Sequence, residues 1–325
     1  MKTIHAAWYN LENLFDHKDA ARPPELHSRV KGDLGQWTTA VRNKKISQLT
    51  HVIKAMFNDA GPDLLGVCEV ESDAVLGLLA AEMNKQLPGR DYKVVGHASP
   101  DARGIDVSFI IDKKQLTASD TGHQVVIKRT ATRDLFWVKL RVKATGAYFT
   151  VVGNHWPSRT AGQYESQPFR ILAAETASYT LSKLVSPGPT GYGKDHPVLF
   201  MGDFNDEPFN RSILEYLRSS RDEERVRRAT SPVLYNLMWP LLAQTDPGTY
   251  FYGSDWNMLD QFLVTKHMLQ NTSKVQVDKS SVAIFRPDFA QNKNGSPHRF
   301  GLKPKKIDQT GFSDHYPLTV VLQAK

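Results

Sequence analysis

The chain of 325 residues contains a single cysteine, Cys68. An internal disulfide is thereby excluded, and so is a zinc site built on paired thiolates. A reducing compartment is expected, with the thiol packed as a small apolar group. No apolar run reaches membrane-spanning length. The start, Met1-Lys2-Thr3-Ile4-His5, passes straight into a strand pattern without the apolar stretch and small-residue cleavage site of a secretory signal. A cytoplasmic protein with no membrane partner is therefore expected. Also lacking are a Pro/Ser/Gly-rich linker, a low-complexity tract and a repeat at a solenoid period. With 40% hydrophobic residues the chain can bury a large core, and the missing linker favours one domain over residues 1–325.

Charge is present in excess of one sign. The formal net charge of +7 and a pI near 9.3 point to an anionic partner. Its distribution is more informative than its total. Between Arg286 and Lys306 lie Arg286, Lys293, Arg299, Lys303, Lys305 and Lys306 against one acid, Asp288, a net +5 of the +7. Gly295, Pro297, Gly301 and Pro304 punctuate the same segment, so it reads as a long basic loop. The run Arg218 to Arg228 mixes both signs at helical spacing and reads as a solvated helix face.

Apolar periodicity predicts strands over residues 4–10, 63–69, 92–96, 105–111, 135–142, 148–155, 198–203, 259–264 and 317–322. Helices are expected over residues 38–57, 73–86, 167–185 and 212–218. Four consecutive strands without long helices between them imply antiparallel pairing. Runs of such strands with helices set to one side of each half fit two packed sheets between outer helices.

The ends of these strands carry the polar residues. The apolar run before Met201 stops at Gly202-Asp203-Phe204-Asn205, which puts a carboxylate and an amide where they can meet water, metal or phosphate. Asn10 follows the strand Ile4 to Tyr9, and Glu69 closes the strand after Leu64. Asp106 begins a strand, and Asn154-His155 ends one before Trp156-Pro157-Ser158-Arg159. Asp260 lies in Leu259-Asp260-Gln261, and Asp314-His315 precedes the final strand. One such residue is ordinarily a turn or a satisfied structural group. The ordered set is what metal-assisted cleavage of a phosphate ester requires.

In that order the set resembles the endonuclease/exonuclease/phosphatase superfamily, which includes deoxyribonucleases, abasic-site endonucleases, inositol polyphosphate 5-phosphatases and sphingomyelinases. Asn-His-Trp-Pro-Ser-Arg and Gly-Asp-Phe-Asn-Asp-Glu-Pro look most like its bacterial nuclease-like branch. The resemblance runs from Asn10 to His315 and implies a four-layer α/β sandwich, two mainly antiparallel sheets packed face to face with helices outside. It implies Glu69 and Asn10 as ligands of Mg²⁺ or Mn²⁺, with Asp314 as a further ligand. Asp203 and Asn205 are implied to orient and deprotonate the attacking water. His155 and His315 are implied to stabilise the transition state or protonate the leaving oxygen, with Asp106 behind His155 and Asp260 behind His315. No tyrosine of the abasic-endonuclease kind and no lipid-inserting aromatic hairpin is evident.

The remaining candidates have two readings each. Arg103 and Arg159 flank the catalytic strings and either fork onto a phosphate or close a surface ion pair. Tyr164, Glu165 and Arg170 open a helix that either attracts an anion or simply starts with its own ion pairs. Trp156 and Trp256 fit core or rim packing better than base stacking. Arg299, Lys303, Lys305 and Lys306 are expected to contact substrate phosphate. A DNA nuclease is the leading expectation. A phosphatase or phosphodiesterase for an inositol phosphate or another small or lipid-borne phosphate is the alternative, since one fold serves several substrates. A non-catalytic binding protein is disfavoured because every catalytic position is filled.

Overall fold

The computed structural model describes residues 1–189, 191–301 and 307–325, so Lys303, Lys305 and Lys306 lie outside the described residues. In chain order the first half contains β1 (Lys2–Leu14), α1 (Pro24–Val30), α2 (Thr39–Asp59), β2 (Leu64–Val70), α3 (Asp73–Gln86), β3 (Tyr92–Val95), β4 (Asp106–Asp112), β5 (Leu116–Gln124), β6 (Leu135–Val142) and β7 (Tyr148–His155). The second half contains α4 (Gln163–Leu184), β8 (Val198–Asp203), β9 (Ser219–Ser220), α5 (Glu223–Arg228), β10 (Leu234–Asn236), β11 (Tyr250–Tyr252), β12 (Asp255–Asn257), β13 (Asp260–Thr265), β14 (Val275–Ile284) and β15 (Leu318–Ala324).

Two large sheets organise these elements, one in the order β14-β15-β1-β2-β4-β3 and the other β5-β6-β7-β8-β13-β10-β9. Most neighbours run antiparallel, the parallel pairs being β1 with β2, β7 with β8 and β9 with β10. Between the sheets the inward residues of both, among them Trp8, Phe109, Val138, Met201 and Phe262, form one apolar layer. Each such fully buried side chain contributes about 1.5–3 kcal/mol. The outer face of the first sheet is covered by α2 and α3, and that of the second by α4. This is the expected four-layer sandwich.

Local chemistry explains the helix ends. Ser72 and Thr38 cap α3 and α2 by accepting from the backbone N–H of Val75 and Val41. The helical backbone of α2 breaks at Met56, Phe57 and Asn58, close to where the apolar period stops. The segment after Ser212 is one π-helical turn, Ser212–Tyr216, instead of an α-helix. Within α5 the pairs Arg227–Glu223 and Arg228–Glu224 stand at helical i,i+4 spacing, as a solvated face requires. Two long strands were not expected, β5 and β14. Both are sheet edges: β5 is mostly exposed and polar, and in β14 the alternation of Val275 and Val277 is broken by the polar stretch Asp278 to Ser281, so neither sustains the apolar alternation that marks a strand.

Register sets the functional residues. His155 pairs with Asp203 across β7 and β8, and Asp203 pairs with Asp260 across β8 and β13. Three polar residues thus stand in one row at one end of the second sheet. Gly202 permits this row, because a Cβ there would collide with the backbone of Asn154. At the same end of the first sheet, the β2–β4 register shifts between Cys68 and Val70, and Glu69 takes a left-handed φ of 62°. Such a bulge turns one side chain out of the ladder at the cost of local strain.

Candidate active site

Asp203 stands at the centre of the polar row. Its Oδ1 accepts the backbone N–H of Asn205 at 2.9 Å, and its Oδ2 accepts from Asn10 Nδ2 at 3.1 Å. Asn205 is held in this turn with φ at 50°, a conformation that asparagine tolerates better than most residues. Two imidazoles flank the carboxylate, with His155 Nε2 at 3.8 Å and His315 Nε2 at 3.9 Å from Oδ2. Burial, reinforced by Asp260, pushes the Asp203 carboxyl up to about 7.

The two histidines differ. His315 Nδ1 lies 2.6 Å from Asp260 Oδ2, the pairing that the resemblance implies. Asp260 is fixed by Thr249 Oγ1 donating to Oδ2 at 2.6 Å and Trp8 Nε1 donating to Oδ1 at 2.8 Å. Burial works against a charged His315, but the attraction of Asp260 and its hydrogen bond outweigh it and raise the imidazole to about 10. His155, by contrast, is pushed well below its usual range by burial, with Arg133 and Arg103 adding to the effect. One imidazole is a cation at neutral pH and the other is neutral.

The expected Asp106 partner for His155 is not made. Asp106 Oδ1 accepts instead from Ser99 N at 2.8 Å and Ser99 Oγ at 2.6 Å. His155 Nδ1 is buried without a partner among the described residues. A strand start two sequence segments away could not reveal which hydroxyl would claim this carboxylate first. Asn154, expected in catalysis, is a tether between strands: Nδ2 donates to the carbonyls of Val152 and Met201, and Oδ1 accepts from Trp156 Nε1.

The two arginines flanking the catalytic strings also part ways. Arg159 donates to the Asn205 carbonyl at 2.7 Å, to Asn210 Oδ1 at 2.9 Å and to Asp206 Oδ1 at 3.2 Å, so its fork is spent on holding the Asn205 loop. Arg103 reaches the site: Nη1 lies 3.4 Å from Glu69 Oε1 and Nη2 donates to Asn13 Oδ1 at 2.5 Å, with 44% of the side chain exposed. Arg170 is a buried partner of Asp206 at 2.8 Å, and Tyr164 and Glu165 are exposed at the start of α4. Trp156 packs edge-on against Phe204 in the core, and Trp256 stacks with Tyr316 beneath the guanidinium of Arg286. Both tryptophans are packing residues.

From the basic loop, Arg299 reaches the centre. It donates to Glu12 Oε1 at 2.8 Å and lies 3.4 Å from Asp314 Oδ2. Glu12 is also contacted by Lys45, whose Nζ lies 3.7 Å from Oε2 and donates to the Phe312 carbonyl at 2.7 Å. Sequence reasoning passed over Lys45. The available signal was a lysine on the apolar stripe of α2, beside Val41, Ile46 and Leu49. Burial lowers its ammonium to about 8 against the pull of Glu12, Asp314 and Glu69.

Glu69, Asp314 and the amide of Asn10 are oxygen donors at one end of the sandwich, the donor type that a hard divalent cation takes. Glu69 Oε1 lies 3.8 Å from His155 Nε2, and Asp314 Oδ1 lies 4.0 Å from His315 Nε2. Asp203, Asp260 and His315 themselves form an acidic and imidazole cluster with ligand-type atoms within 4.8 Å of one another. Asp260 already accepts from His315, Thr249 and Trp8, so it serves the imidazole. The donor set fits a hard divalent cation.

The sequence profile of the Endonuclease/Exonuclease/phosphatase family matches residues 5–324. The chain belongs to this family. Family members are phosphoester hydrolases that generally depend on a divalent metal ion, which places the chain among hydrolases. No curated protein sequence matches it. Among solved structures it is similar to the Bacteroides thetaiotaomicron mannosyl-6-phosphatase, at 17% identity and TM-score 0.57 over 98% of this chain and 99% of that one. It is also similar to the human Nocturnin catalytic domain with bound sulfate, at 14% identity and TM-score 0.57 over 99% and 94% of the two chains. A third likeness is to D. rerio TDP2 complexed with a single-strand DNA product, at 14% identity and TM-score 0.56 over the whole of both chains. At such identities these likenesses speak for the shared fold. Among the described residues of this family member, no helix is long and apolar enough to cross a membrane.

Proposed function

We propose that the chain, acting as one domain in the cytoplasm, is a divalent-metal-dependent phosphodiesterase whose substrate is DNA. The observation that carries this reading is the placement of Asp203 Oδ2 between the Nε2 atoms of His155 and His315 at 3.8 and 3.9 Å. A phosphate seated over that gap meets one neutral and one cationic imidazole. Water beside it meets a carboxylate.

Glu69, Asn10 and Asp314 would hold Mg²⁺ or Mn²⁺, which when bound supplies positive charge to the phosphate oxygens and the leaving oxygen. Asp203, fixed through Oδ1 by the Asn205 amide, takes the proton of the attacking water at Oδ2. As the water oxygen bonds to phosphorus, the bond to the leaving oxygen breaks. The leaving oxygen takes its proton from Nε2 of His315, whose charge Asp260 sustains. His155 offers its ring to a phosphate oxygen, and Arg103 and Arg299 offer exposed guanidinium groups at the rim. Tyr250, tilted against His315 at 4.7 Å, and the exposed Tyr252 provide an aromatic wall for a base or sugar.

One observation favours a second reading, hydrolysis of a small phosphate ester. The described arginines at the centre are tied to Glu69, Glu12 and Asp314, which concentrates cationic donors on one phosphate instead of spreading them along a groove. Purified protein with Mg²⁺ or Mn²⁺ should be assayed on plasmid DNA, RNA, an abasic duplex, inositol phosphates and hexose phosphates. Nicking of plasmid DNA supports the first reading. Turnover of the small phosphates alone replaces it with the second.

A further inference from the structure

We propose that His97, His123 and Asp134 bind a divalent transition-metal ion of the zinc class at a site separate from the catalytic centre, where it clips the two sheets together along one edge. The three side chains come from different places in the fold. His97 follows β3, the edge of the first sheet, whereas His123 lies on β5, the edge of the second. Asp134 immediately precedes β6, whose Phe136 pairs with His123. One potential ligand atom from each lies within 4.8 Å of the other two. Donors around a tetrahedral zinc stand roughly 3.3 Å apart, so small side-chain rotations complete the arrangement.

The state of Asp134 independently points to a cation. The residue is 4% exposed, and its Oδ2 is 2.8 Å from His97 Nε2. Its other oxygen, Oδ1, is buried with no partner among the described residues. A buried carboxylate with one oxygen unmatched is costly, and a metal ion is among the few partners that match it. The His97 ring stacks on His123 at 4.0 Å and leans on Phe136 at 5.7 Å, which fixes both imidazoles near the acid. His123 is exposed and leaves the site open to an entering ion and a fourth, water ligand. Two imidazoles with one carboxylate suit zinc, nickel, cobalt or copper, whereas magnesium and calcium prefer oxygen donors alone.

The site has a structural consequence for catalysis. His97 opens the segment that carries Ser99, the partner of Asp106, and Arg103, which reaches Glu69. An ion held by His97 and the second sheet restrains that segment and so the approach of Arg103.

Cobalt(II) titration of the full chain tests the proposal, with millimolar Mg²⁺ present to occupy the catalytic centre. The wild type is expected to take up one tightly bound Co²⁺ with a visible ligand-field band, displaced by Zn²⁺, and to melt at higher temperature when loaded. His123→Ala, an exposed change, should lower the affinity at least about 10-fold. Glu69→Gln should keep the band. The proposal is overturned by a wild type without a band at saturating Co²⁺, by an unchanged band in His123→Ala, or by a band that only Glu69→Gln removes.

Discussion

Asp203 and its two imidazole neighbours are driven to different protonation states by their surroundings. If Asp203, His155 and His315 act in the transition state as proposed, replacing any one of them by Ala should cost on the order of 10² or more in turnover. Circular dichroism should show all three folded, and wild-type rates in the folded variants would remove the catalytic assignment. The same groups govern stability against pH. His315, raised from 6.5 to about 10, stabilises the fold fully below pH 6.5 and loses that contribution as pH rises through 10. Asp203, raised from 3.8 to about 7, acts in the same direction, since the folded chain keeps a proton that the unfolded chain gives up. The metal-free protein should therefore melt at progressively lower temperature between about pH 7 and pH 10. His315→Gln should flatten the alkaline part of that decline. A melting temperature that rises across this range would contradict the charge assignment of His315.

Elements bring these residues together, and α2 does so through one buried cation. Lys45 is fully buried, donates to the Phe312 carbonyl, stands over the Phe300 ring at 4.9 Å and faces Glu12. It thereby links α2 to β1 and to the segment that ends in Asp314 and His315. Lys45→Ala leaves Glu12 buried with less compensation and should destabilise the protein by about 3–5 kcal/mol in urea unfolding. Adding Glu12→Gln should recover part of the loss, since the stranded charge is then gone. A simple sum of the two single effects would deny the coupling. Elements of this kind were only partly legible. The apolar, well-capped segments were read within a residue or two: α3, β6, β7 and β8 have the expected limits. α4 begins at Gln163, four residues before the expected 167, and Pro168 lies inside it. At the site, the strand-end carboxylates and histidines were legible because their spacing follows the strands. Lys45, Thr249 and Trp8 were not, because what they do depends on neighbours brought close by the sandwich.

Metal dependence and net charge are properties of the whole molecule. Exhaustive EDTA treatment should abolish phosphoesterase activity, and added Mg²⁺ or Mn²⁺ should restore it. Restored metal should also raise the melting temperature by a few degrees, as a ligand at about 100 times its Kd adds about 2.7 kcal/mol to the folded state. Full activity after chelation would eliminate the metal-dependent reading. The net charge of +7 makes a separate claim about substrate. Of the basic residues between Arg286 and Lys306, Arg286 lies over the Trp256 ring at 4.5 Å and Arg299 faces Glu12 and Asp314, so on the proposed nuclease reading Lys293, Lys303, Lys305 and Lys306 are the ones left in this segment to meet a longer backbone. Each phosphate so neutralised releases condensed counterions and adds about 0.9 to the slope of log affinity against log salt on duplex DNA. Changing Lys303, Lys305 and Lys306 together to Ser should flatten that slope by roughly 2 to 3, measured with calcium in place of magnesium to block cleavage. A minimal chromogenic phosphodiester, which meets only the catalytic centre, should be hydrolysed at near-normal rate by the same variant. A protein that works on small phosphates behaves differently, because its loop then meets one multiply charged ligand. The triple change would raise the Michaelis constant for that ligand, and DNA would bind weakly before and after. An unchanged salt slope, or no DNA binding at low salt, would decide for the small-phosphate reading.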